Sequence, residues 1–141
     1  MKIISPEYKP HASDEHEVPL IGHIAAGFPI LAEENVERYV PVPRHLIQTE
    51  GRYYALRVRG DSMINAGIFE DDLVIVCAAE RANHNDIIVA LIDGEVTVKR
   101  FINQGNVKYL RAENPIYPDL YPQESFAIQG KVVGLIREKF H

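Results

Sequence analysis

A single cysteine, Cys77, is all that the 141 residues contain. That excludes an internal disulfide and any multi-cysteine metal centre. Cys77 sits in an apolar run and is expected in the core. Basic residues are too few to dominate: the net charge is -5 and the sequence pI is about 5.6. A chain that grips nucleic acid phosphates needs a basic face, so direct DNA binding is not expected. No apolar run is long enough to span a bilayer, and the first twenty residues lack a signal-peptide core. A soluble cytoplasmic protein away from membranes is therefore the expectation. The six histidines, at 11, 16, 23, 45, 84 and 141, have no ligand-like spacing, and no phosphate-binding glycine loop is present. Neither a metal nor a cofactor is expected. There is no internal repeat.

What remains is an ordinary globular composition, 46% hydrophobic and 25% charged, with enough length for one domain and a real core. Residues 1–17 are polar and charged, with Pro6 and Pro10, and read as an arm with little structure of its own. No helix-turn-helix is expected ahead of the globular part. Residues 18–26 are extended in character and end in the small triplet Ala25-Ala26-Gly27, followed by Phe28-Pro29. Such a segment suits either a narrow groove or a first strand ending in a turn.

Residues 33–40 suggest a short irregular strand, and residues 41–47 a turn with a brief helical piece. After residue 47 the pattern is all β. Strands are expected at 53–59, 73–77, 86–92, 95–101 and 107–110. Asp93-Gly94 is a strong two-residue hairpin turn, and Gln104-Gly105-Asn106 a second turn. Residues 113–123 form a proline-rich loop, and two last strands are expected at 125–129 and 132–137. Short strands at this spacing predict a mostly β single domain, a half-closed antiparallel barrel or sandwich.

Two places carry potential chemistry. After residues 53–58 comes Arg59-Gly60-Asp61-Ser62-Met63. Gly60 allows a sharp turn that would present Ser62 between two packed elements. A serine on a rigid turn is what an acyl-transfer nucleophile needs, although from this stretch alone a serine capping the next segment is the favoured reading, because Gly-x-Ser is common. In the hairpin after Gly94, alternation puts Val96 and Val98 on one face, Thr97 and Lys99 on the other. Lys99 either lays its stem along the sheet with its amine in water, or is desolvated into a usable base. Spacing alone does not bring Ser62 and Lys99 together. Asp71-Asp72, and Asp119 with Glu124, read as solvated turns, and His23 as incidental.

Three stretches together resemble the LexA/UmuD family of self-cleaving serine peptidases. Residues 18–29 are similar to its cleavage segment. Gly60-Asp61-Ser62-Met63 with Ala66-Gly67-Ile68 is similar to its nucleophile turn, and Glu95-Val96-Thr97-Val98-Lys99-Arg100 to its lysine strand. Order and spacing also match. The resemblance implies a division into arm (1–17), cleavage segment (18–32) and peptidase domain (33–141). It implies Ser62 as nucleophile and Lys99 as general base. Backbone N–H groups of the Gly60, Asp61, Ser62, Met63 turn would form an oxyanion hole, and Ala26–Gly27 would be the scissile bond.

The resemblance further implies a homodimer through the strands near residues 126–136, and stimulation by a RecA–single-stranded DNA filament. The family's members do two jobs. LexA-type repressors carry a helix-turn-helix, while UmuD-type proteins have a short arm and become a translesion polymerase subunit. The arm points to the second job, and the wording of residues 21–27 and 125–137 to the first. A non-catalytic dimeric binding module of the same fold, with Ser62 as a turn cap, is the competing class.

Overall fold

The computed structural model describes residues 7–8, 15–24, 29–48, 50–121 and 126–139. Among the described residues nine strands make one sheet: β1 (Glu7–Tyr8), β2 (Glu15–Ile21), β3 (Val36–Pro43), β4 (Gly51–Arg57), β5 (Leu73–Ala78), β6 (Ile87–Ile92), β7 (Glu95–Gln104), β8 (Val107–Arg111) and β9 (Ala127–Ile136). The order is β3-β2-β4-β5-β9-β6-β7-β8, with β1 added to β4. β3 and β8 end the path and do not pair with each other, so the sheet is open, as a half-closed barrel requires. All ladders are antiparallel except a two-residue parallel contact of β2 with β4.

Side chains of β5 alternate between two cores. Val74 and Val76 pack on one side with Tyr54, Met63, Val89 and Val98. Leu73 and Ile75 pack on the other with Val18, Val40, Tyr53 and Ala55. A strand buried on both faces reads as a continuous aliphatic run, which is why residues 73–77 show no polar alternation. The hairpin turns form where expected: Asp93 and Gly94 both have positive φ, 49° and 80°, as a type I′ turn demands.

The structure departs from the sequence reading in four places. The arm is not bare, because Glu7–Tyr8 pairs with β4 and β2 already begins at Glu15. β3 runs through Pro41 and Pro43, since it is an edge strand and an edge tolerates a missing N–H. The brief helical piece then follows as a 3-10 turn at Arg44–Leu46. The two final strands are one. β9 passes through Gly130 between β5 and β6, and the extra residues are absorbed by register shifts opposite Ile75/Val76 and Val89/Ala90. Gly130 marks a close approach rather than a break: a Cβ there would run into Val76 Cγ1 and lie 2.7 Å from the Cys77 carbonyl oxygen. Finally, Cys77 is partly exposed at the margin of the second core rather than inside it.

Candidate active site

Residues 58–72 leave the sheet between β4 and β5 and return to it. The neck of this loop is closed by two backbone hydrogen bonds: Val58 N–H donates to the Asp72 carbonyl at 2.8 Å, and Asp71 N–H to the Val58 carbonyl at 3.0 Å. Gly60 makes the expected turn at φ 80°, with open space around it. Met63 is 1% exposed and plugs the loop into the first core beside Val58, Ile68 and Val98. Ser62, its neighbour, is held half-buried at the edge of that core.

The rim of the loop is gripped from outside. Arg137, just beyond β9, donates from Nε and a terminal nitrogen to the two oxygens of Asp72, both at 2.8 Å, and also to the Gly67 carbonyl at 3.0 Å. Asp72 accepts the Phe69 N–H at 2.8 Å as well. Asp72 is 2% exposed, which corrects its reading as a solvated turn residue. Asp119 pairs with Arg111 Nε at 3.4 Å, and Glu124 lies outside the described residues.

Lys99 comes from β7. Val98 turns into the core, and Thr97 and Lys99 share the opposite face as alternation predicts. The Lys99 amine Nζ lies 3.0 Å from Ser62 Oγ, 37 residues away in sequence. It is also 2.6 Å from Thr97 Oγ1 and 3.2 Å from the Val98 carbonyl oxygen. Burial disfavours the charged ammonium and pushes its pKa down from the ordinary lysine value. A partly desolvated amine in contact with a hydroxyl is a base beside a potential nucleophile.

The pair opens into a cleft of about 430 Å³, walled by residues 21–24, 56–59, 62–63 and 94–99. Its lining includes the apolar residues Leu56, Val58, Val96 and Val98, together with His23. A larger cavity of about 900 Å³, lined by Ile30, Ala78 and Phe126 among others, contains neither Ser62 nor Lys99. Size alone does not make that cavity the reactive one. Ala26 and Gly27 lie outside the described residues. Among the described residues no group of three or more His, Cys, Asp or Glu is placed to hold a metal ion. No helix among them is long and apolar enough to cross a membrane.

A Peptidase S24-like family model matches residues 19–133. The chain belongs to the Peptidase S24-like family. The resemblance to LexA-type proteins thus holds over most of the chain. It is similar to the LexA repressor of Shewanella frigidimarina (strain NCIMB 400), 49% identical over 127 residues, 87% of this chain and 61% of that protein. The LexA repressor of Ruegeria sp. (strain TM1040) is 44% identical over 134 residues, 93% of this chain and 56% of that protein. That of Acetivibrio thermocellus is 44% identical over 122 residues, 86% and 57% respectively. The chain therefore spans little more than half the length of these relatives.

The sequence reading missed the supports of this candidate site. Glu113, Asn114 and Tyr117 sit in the proline-rich loop and reach the serine loop. Asn114 Nδ2 donates to the Asp61 carbonyl at 3.0 Å, the Tyr117 hydroxyl donates to the Asp61 carboxylate, and the Asn65 N–H donates to the Glu113 carbonyl at 2.8 Å. The Asn114-Pro115 dipeptide signals a turn but says nothing of what the turn touches.

Proposed function

We propose that this chain is the self-cleaving serine peptidase part of an SOS repressor-type protein, cutting its own Ala26–Gly27 bond. The observation that carries the reading is the half-buried Lys99 amine 3.0 Å from Ser62 Oγ, in a cleft walled by residues 21–24. Ala26 follows Ile24 by two residues, a span of at most about 7 Å.

In the reaction, Ser62 Oγ attacks the Ala26 carbonyl carbon while neutral Lys99 takes the hydroxyl proton. Negative charge gathers on the Ala26 oxygen, where backbone N–H groups of the 60–63 turn would receive it. As the C–N bond breaks, the Lys99 ammonium returns its proton to the Gly27 nitrogen, which leaves as an amine. The Ser62 ester is then hydrolysed by a water that Lys99 deprotonates, giving the Ala26 carboxylate and free Ser62. Residues 1–17 would be the arm, 18–32 the cleavage segment and 33–141 the peptidase domain.

The relatives are named LexA repressors, which favours the repressor-type role over that of a UmuD-type polymerase subunit. Stimulation by a RecA–single-stranded DNA filament, dimerisation near residues 126–136 and a cytoplasmic location belong to the same proposal. Incubating the purified chain at alkaline pH tests it. Mass spectrometry should find a new N-terminus at Gly27. A chain that stays whole with and without RecA, nucleotide and single-stranded DNA would favour a non-catalytic binding module.

A further inference from the structure

We propose that Asn114 is a positioning residue that aims the Ser62 N–H into the cleft as an oxyanion donor; this rests on the self-cleavage reading above. The argument starts with one planar unit. The Asp61 carbonyl and the Ser62 N–H belong to the same trans peptide, so they point in opposite directions. Whatever holds the carbonyl on one side fixes the N–H on the other.

Asn114 is that hold. Its Nδ2 donates to the Asp61 oxygen at 3.0 Å, and it is itself 7% exposed. Its Oδ1 accepts the Ile116 N–H at 3.3 Å and its carbonyl accepts the Tyr117 N–H at 3.0 Å, so the amide cannot turn freely. Tyr117 then takes the Asp61 carboxylate with its hydroxyl, a second grip on the same residue. Among the described residues no acceptor takes the Ser62 N–H, which leaves it for a ligand.

The same loop also holds the lysine side. Glu113, next to Asn114, pairs with Arg100, next to Lys99. Glu113 N–H also meets Met63 Sδ at 3.4 Å. Two consecutive loop residues thus tie the chain neighbour of the nucleophile to the chain neighbour of the base.

The test compares self-cleavage rates of the whole chain, its Asn114→Ala variant and its Asn114→Asp variant, across pH. Asn114→Asp keeps the Oδ1 acceptor and nearly the same volume but lacks the amide donor. On the alkaline plateau, where Lys99 is neutral in every chain, both variants should be slower by on the order of tenfold to a hundredfold. The pH midpoint of Asn114→Ala should stay where it is, and the thermal melt of Asn114→Asp should remain cooperative. Rates within about twofold of the parent overturn the inference. So does a loss that alkaline pH restores, which would place the effect on Lys99, and so does loss of the cooperative melt in both variants, which would make the role structural. If the parent chain does not cleave at any pH, the self-cleavage reading fails instead, a separate result.

Discussion

Asp72 and Arg137 stand 65 residues apart in sequence and meet as a two-pronged ion pair, each of the two contacts 2.8 Å long. The partners are unequally buried. The Asp72 side chain is 2% exposed, while that of Arg137 is 31% exposed and lies 4.8 Å over the Phe69 ring. Arg137 can find water when its partner is gone, and Asp72 cannot.

That asymmetry predicts an order of stability. Arg137→Ala leaves the buried Asp72 carboxylate with the Phe69 N–H but without its countercharge, and should lower the melting temperature by about 5 °C or more. Asp72→Asn should cost less, and adding it to Arg137→Ala should recover part of the loss. Thermal melts of the two single variants and the double variant check this. A double variant that is the sum of its parts would mean the pair does not couple.

Gly130 and Gly94 should answer differently to the same methyl group. At Gly130 a Cβ would meet the Cys77 carbonyl oxygen at 2.7 Å, a backbone atom fixed in the β5 ladder. Gly130→Ala should cost about 3 kcal/mol or more in urea unfolding. Gly94 has φ 80° but open space around it, so Gly94→Ala should cost only the left-handed strain, about 1–2 kcal/mol.

Lys99 should make stability depend on pH. Burial lowers its pKa below the ordinary 10.5. Below the folded pKa both states hold the proton, and the folded state bears the full desolvation cost. Between the folded pKa and 10.5 the unfolded chain binds a proton that the folded chain does not, so stability rises with pH there. Lys99→Met removes that slope. Urea melts from neutral pH upward should show the parent gaining on the variant across this window, and parallel curves would contradict the burial of the amine.

Thr97 should tune the same amine. Its Oγ1, 2.6 Å from Nζ, can accept a hydrogen bond from the ammonium form and so favours charge. Thr97→Val keeps the shape and removes that acceptor. The pH midpoint of self-cleavage should move to lower pH, and a midpoint moved upward would contradict the assignment.

Much of this was legible before the fold was known, and for local reasons. Asp93-Gly94 needs positive φ at both positions, and alternation alone put Thr97 and Lys99 on one face. The serine turn was legible from Gly60, whose φ of 80° a side chain would resist. What stayed hidden depends on strands and loops distant in sequence. Asp72 looks like half of a solvated acidic pair until Arg137 arrives from the far end of the chain. Gly130 looks like a break because its reason, the crowding against Val76 and Cys77, lies in another strand. Asn114 looks like turn punctuation until its amide meets the Asp61 carbonyl.

The central claim is that a lysine made neutral by burial drives Ser62. Its most direct test is the rate of self-cleavage against pH for the parent chain beside Lys99→Ala. The account predicts a sigmoidal rise in the parent with a midpoint below 10.5, and no cleavage at Ala26–Gly27 in the variant at any pH. Cleavage that persists without Lys99, or a parent rate flat across pH, would contradict it.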